Sequence, residues 1–189
     1  MTGVQTCALP IFEEALKVLK PGMQVLDLCT GSGCILISLM KMCKGLYGTG
    51  SDISEDALEV ARKNACRLEV NAAFIRSSLF EHISGRYDLI VSNPPYIPTS
   101  VIEGLQEEVR LYDPFIALDG KEDGLYFYRE IIKAGGGYLK PGGYLMFEIG
   151  YDQGTEVASL MEKHGYRNIM VKKDLAGLDR VVSGMYNGE

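Results

Sequence analysis

Residues 90–99 read IVSNPPYIPT, and Asn93, Pro94, Pro95 and Tyr96 gather polar acceptors and a ring where a strand must stop. An amide nitrogen is a poor nucleophile because its lone pair is delocalised into the C–N bond, the resonance that gives a peptide bond a rotation barrier of roughly 18–20 kcal/mol. If the Asn93 side-chain oxygen and the Pro94 carbonyl accept the two N–H bonds of a planar NH2 group, they hold it facing an electrophile and favour pyramidal nitrogen as charge develops. Proline fixes φ and brings no N–H to a site that needs acceptors. Tyr96 offers a ring on which a planar amide or base can stack. The plain competing reading is a proline-rich loop that ends a strand, with Asn93 capping a turn.

Two further strand ends carry related chemistry. In DLCTGSG, Asp27 to Gly33, Gly31 and Gly33 allow a sharp turn and close approach of a ligand to the backbone. A dinucleotide fingerprint would continue to a third glycine, but Leu36 stands there, so the loop fits a pyrophosphate less well. Asp27 would repel phosphates and attract an ammonium group. Asp52 closes the next strand about twenty residues on, where an acid hydrogen-bonds the two hydroxyls of a ribose. Each feature alone is an ordinary strand-to-helix turn or a surface carboxylate. Together they suit a nucleoside joined to a cationic amino acid, which is S-adenosylmethionine.

Elements that alternate in type must position these residues. Phe12 to Lys20 reads as a helix with Phe12, Ala15, Leu16 and Leu19 on one face, stopped by Pro21-Gly22. Strands follow in MQVLDL, LYGTGSD, AAFIRS and YDLIVSN, with helices at 33–42 and after Ser54, a cap for a first turn that holds Glu55 and Asp56. Leu58, Ala61, Ala65 and Leu68 make the buried stripe of that second helix. Residues 93–123 are the longest irregular stretch. Then come a helix in GLYFYREIIKA, a turn in LKPGG, a strand in YLMFEIG, a helix in DQGTEVASLMEKHG and strands near YRNIMVKKD and RVVSGMY. Such alternation predicts a parallel sheet covered on both faces, with ligands beyond the carboxyl ends of its strands. Residues 1–11 show no clear period and read as a poorly ordered or foreign leader to one domain over 12–189.

The 189 residues suit a single core, and 47% hydrophobic with 23% charged residues is ordinary globular composition. No apolar run approaches the roughly 18 residues of a membrane helix. A net charge of -6 argues against a broad nucleic-acid face. The five cysteines (Cys7, Cys29, Cys34, Cys43 and Cys66) show no paired metal spacing and read as reduced thiols in a cytoplasm. His82 and His164 read as surface or helix-end residues. Tyr126, Phe127 and Tyr128 read as helix packing.

DLCTGSG, DIS with its following helix, and NPPY occur in the order seen in class I S-adenosylmethionine-dependent methyltransferases that act on planar exocyclic nitrogens, which this chain resembles. YDPFIALDGKEDGLYFYREII, LKPGGYLMFEIG and DLAGLDRVVSG look specifically like the peptide chain release factor glutamine methyltransferase family, from about Phe12 onward. The resemblance implies a Rossmann-like, doubly wound α/β fold: a seven-stranded, mostly parallel sheet with an antiparallel C-terminal strand. It implies methylation of the glutamine amide in the Gly-Gly-Gln loop of class 1 release factors, by a cytoplasmic monomer without metal. Asn93 and Pro94 would then orient the amide, and Pro95 and Tyr96 would wall its pocket. Asp27, Thr30, Gly31, Gly33, Cys34 and Asn93 would meet the methionine part of the donor, and Asp52 and Ile53 its ribose and adenine.

Two departures from that family stand out. Ser78 occupies the place of an acid near the adenine, and MTGVQTCALPI replaces an N-terminal helical domain that grips the release factor. The chain is therefore expected to be the catalytic domain of a truncated protein. The rival readings are methylation of a ribosomal-protein glutamine, methylation of an adenine amino group in nucleic acid, and a non-catalytic S-adenosylmethionine-binding protein.

Overall fold

The computed structural model describes residues 9–105 and 114–188. Seven strands form one sheet: β1 Gln24–Leu28, β2 Tyr47–Asp52, β3 Ala73–Arg76, β4 Tyr87–Ser92, β5 Leu139–Glu148, β6 Tyr166–Lys173 and β7 Asp179–Tyr186. Their order is β3-β2-β1-β4-β5-β7-β6. The first five run parallel, while β7 is antiparallel to both β5 and β6. This is the mostly parallel α/β sheet with an antiparallel C-terminal strand that the sequence implies. Because β2 and β3 lie on one side of β1 and β4 and β5 on the other, winding reverses between β1 and β4.

Helices cover both faces: α1 Leu9–Val18, α2 Cys34–Met42, α3 Glu55–Arg67, the short α4 Thr99–Ile102 and α5 Phe115–Leu118, then α6 Tyr126–Gly135 and α7 Gly154–Lys163. Side chains alternate across a strand, so each central strand feeds two cores. Leu26, Leu28, Ile90, Leu145 and Phe147 pack with Tyr128 and Ile131 of α6 and with Val157 and Met161 of α7. Val25, Leu89, Val91 and Met146 pack with Ile11 and Ala15 of α1 and with Leu36 and Leu39 of α2. By the same alternation, Asp27 and Glu148 belong to the face that α1 and α2 cover.

Several boundaries differ from the sequence reading. Leu9, Pro10 and Ile11, assigned there to the leader, form the first turn of α1, where proline needs no N–H. Ile11 is fully buried. The remaining leader residues, 1–8 with Cys7, lie outside the described residues, as does the segment 106–113 of the irregular stretch. Leu68 ends α3 instead of joining its buried stripe, and is 39% exposed. The LKPGG turn does not precede a strand; it lies within β5, where the register steps from Tyr87↔Leu139 to Leu89↔Tyr144. Pro141 lacks a donor and Gly142 has φ +79°, which lets the strand kink without leaving the sheet.

Candidate active site

The first part of the site is built on the end of β1. Asp27 is 1% exposed. The Thr30 hydroxyl donates to its Oδ2 at 2.6 Å, while Oδ1 has no hydrogen-bond partner among the described residues. Burial pushes this carboxyl up to about 7 against the pull of the Thr30 hydrogen bond. Beyond it the backbone turns through left-handed conformations at Cys29 (φ 57°), Gly31 (φ 54°) and Gly33 (φ 77°). A Cβ on Gly33 would come within 2.8 Å of Ile37 Cδ1 and 3.2 Å of Ala61 Cβ, whereas one on Gly31 would stand in open space. Gly33 thus seats the start of α2 against α3. Gly31 leaves a bare backbone facing outward.

Asp52, at the end of β2, ties this loop in place. Its Oδ2 accepts the Gly31 N–H and its Oδ1 the Ser54 N–H, both at 2.9 Å. Ser54 caps α3 by accepting the Ala57 N–H, as the sequence predicts. Each Asp52 oxygen keeps a second lone pair, so its carboxylate can meet further donors while it braces the loop. Next to it Ile53 is 47% exposed, an apolar side chain open to a flat partner. Ser78, beyond β3, is exposed and brings no charge to this end of the site.

Across the reversal point, β4 pairs with β1 through Leu28↔Ser92, and the buried Ser92 hydroxyl donates to the Leu28 carbonyl at 2.8 Å. Asn93 to Tyr96 therefore leaves the sheet beside the glycine loop. Pro94 is buried, and Asn93, Pro95 and Tyr96 are half-buried. The turn is braced from behind. Ile97 bridges to Asp119, donating to the Leu118 carbonyl at 3.0 Å and accepting from the Gly120 N–H at 2.8 Å. Asp119, 6% exposed, accepts the Thr99 hydroxyl at 2.6 Å and the Lys121 ammonium at 2.8 Å. Those partners, Lys121 first, hold its carboxyl below the ordinary value.

The sequence reading missed two residues at this end of the sheet. Glu148, the last residue of β5, is fully buried with no partner for either carboxyl oxygen among the described residues. Burial pushes it up to about 7, with Arg180 opposing. Its sequence signal resembles that of Asp27, an acid closing an apolar strand. Gln153, 8% exposed, opens α7 and had no such signal.

Of the other residues singled out, Cys34 begins α2 and is exposed; burial, then the charges of Asp27 and Glu148, push its thiol up. Burial pushes the Cys29 thiol up to about 12, away from the thiolate form that a nucleophile needs. His82 and His164 are exposed, their rings against the Arg76 and Leu160 carbonyls. Tyr128 is fully buried as helix packing requires, but Tyr126 is 41% exposed. Among the described residues no three His, Cys, Asp or Glu side chains cluster to hold a metal ion, and no helix is long and apolar enough to cross a membrane.

Comparison with known proteins agrees with this fold. The pattern of the methyltransferase small domain family matches residues 10–174. The release factor glutamine methyltransferase of Agrobacterium fabrum is 47% identical over 177 residues, which cover 93% of this chain and 61% of that protein. Its counterpart in Geobacter sulfurreducens is 45% identical over 175 residues, covering 92% and 62%. The chain thus spans about three fifths of the length of these curated relatives. Among solved structures, the release factor-specific protein-(glutamine-N5) methyltransferase of Alicyclobacillus acidocaldarius superposes with a TM-score of 0.57 at 28% identity, covering 99% of each chain.

Proposed function

Because this chain belongs to the methyltransferase small domain family, we propose that it transfers a methyl group from S-adenosylmethionine to the glutamine side-chain amide in the Gly-Gly-Gln loop of class 1 peptide chain release factors. The observation that carries this reading is the emergence of Asn93-Pro94-Pro95-Tyr96 from β4 beside the glycine loop that follows β1, at the reversal point of the sheet. The names of the relatives, release factor glutamine methyltransferases at 45% identity and above, favour glutamine as the acceptor.

The residues at the strand ends fit the donor. Asp27 keeps a buried oxygen without a partner among the described residues, which suits an ammonium group. Gly31 leaves space beside a bare backbone, and Cys34 stands at the start of α2 next to it. Asp52 has lone pairs for two ribose hydroxyls, and Ile53 an exposed apolar face for adenine. When bound, S-adenosylmethionine supplies an electrophilic methyl carbon on a sulfonium. The chain supplies acceptors for the two N–H bonds of the glutamine amide, the Asn93 side-chain oxygen and the Pro94 carbonyl. Tyr96 walls the amide plane. This is preorganisation of fixed dipoles around developing charge, and no side chain here needs to act as a base before transfer.

The test is transfer of labelled methyl from S-adenosylmethionine to purified release factor, beside the same factor with its loop glutamine changed to alanine. Label on the intact factor alone is expected. Cofactor binding by calorimetry without any transfer to that factor would overturn the acceptor while leaving the donor site standing.

A further inference from the structure

Gln153 lies outside the sequence motifs, yet its side chain joins three segments that meet behind the acceptor turn. Its Nε2 donates to the Tyr96 carbonyl at 3.0 Å and to the Gly124 carbonyl at 3.3 Å. Its Oε1 accepts the Gly150 N–H at 2.9 Å and the Tyr128 hydroxyl at 3.4 Å. Two carbonyls facing Nε2 and the Gly150 N–H facing Oε1 leave a single orientation for the amide. The backbones have closed around it. A Cβ on Gly124 would strike the Tyr96 carbonyl, and one on Gly120 would come within 2.8 Å of Tyr96 Cα.

The Tyr96 carbonyl is three residues beyond Asn93, and Gly150 is two residues beyond the end of β5. Tyr128 is anchored in turn, since its one hydroxyl proton is shared between Gln153 Oε1 and the nearer Glu148 carbonyl at 3.0 Å. Gln153 therefore carries the position of the β5 end to the turn that emerges from β4. We propose that Gln153 is a positioning residue for methyl transfer, holding the Asn93-to-Tyr96 turn in register with the glycine loop. The proposal rests on the function given above, and it assigns Gln153 no contact with donor or acceptor.

Gln153→Glu keeps the shape and the acceptor oxygen but faces two carbonyls with a carboxylate. Turnover is expected to fall roughly 10²-fold, the loss that accompanies a displacement of about 1 Å at a reacting centre, while donor affinity by calorimetry stays within about twofold of the parent. A buried carboxyl facing carbonyls titrates high, and once protonated it regains one donor. The ratio of variant to parent turnover should therefore recover as pH falls from about 9 to about 6. A purely structural role would instead weaken donor binding and turnover together.

Amide hydrogen exchange reads the same proposal without catalysis. In Gln153→Glu the Ile97 and Gly120 amides should exchange at least about tenfold faster while those of β1 and β4 keep their protection. Unchanged exchange at Ile97 and Gly120, or turnover equal to the parent, overturns the positioning role. Failure of the parent itself to methylate release factor overturns the function, and the exchange rates still decide the role of Gln153.

Discussion

At Asn93, replacement by alanine removes the side-chain oxygen proposed to accept one N–H of the glutamine amide and leaves the Pro94 carbonyl in place. Turnover with labelled donor should drop by roughly 10²–10³-fold, the usual cost of removing one preorganised polar partner at a reacting centre. A second prediction concerns pH. Burial holds Asp27 and Glu148 near 7, against ordinary carboxyl values of about 4. Between roughly pH 4 and 7 these two groups keep protons in the folded protein that the unfolded chain has released, so their contribution to stability is fully present below that window and is lost as pH rises through it. Glu148→Gln mimics the protonated acid and cannot ionise. It should match the parent near pH 4 and exceed it above about pH 8 by up to ~3 kcal/mol in chemical denaturation. Asp27 was legible in the sequence because glycines followed it. Glu148 was not, because an acid inside YLMFEIG reads as an outward side chain until β7 makes β5 an interior strand and helices cover both faces of the sheet.

At the scale of elements, the glycine loop depends on the junction of β1, α2 and α3. Gly33→Ala would place a side chain in a left-handed backbone, at a cost of about 1–2 kcal/mol, and press it against Ile37 and Ala61. We expect a loss of about 1–3 kcal/mol of stability by denaturant titration. Gly31→Ala carries the same left-handed strain but its added Cβ meets no protein atom, so its stability loss should be smaller. Strand ends, helix caps and parallel order were readable from periodicity and punctuation: Ser54 caps α3 and Asp52 closes β2 where the residues said they would. The start of α1 at Leu9 and the continuation of β5 through Pro141 were hidden. In both cases tertiary burial overrode a local stop signal, with Ile11 filling the core beneath α1 and Leu139 pairing with Tyr87.

For the whole molecule, the proposed donor site and the proposed acceptor turn rest on one sheet, so occupancy of the first should stabilise all of it. Donor at roughly 100 times its Kd would add about 2.7 kcal/mol to the folded state. For a chain of this length that should raise Tm by roughly 5–10 °C, measured by calorimetry with and without S-adenosylmethionine. No shift at saturating donor would contradict the assignment of the strand ends. The acceptor turn belongs to this scale too, because Gln153 reaches it from α7, and no spacing in the sequence relates residue 153 to residue 96.

The interior place of β7 has a bearing on synthesis. Of the seven strands it is the latest in chain order, yet it lies between β5 and β6. As a nascent chain leaves the ribosome, β5 exposes an unpaired edge beside Phe147, and β6 has no neighbour until residues 179–186 emerge. Vectorial folding can therefore complete the glycine loop and the acceptor turn early while the far side of the sheet stays open. A chain stalled before Asp179 would present that edge to other chains, the condition in which unpaired strands aggregate.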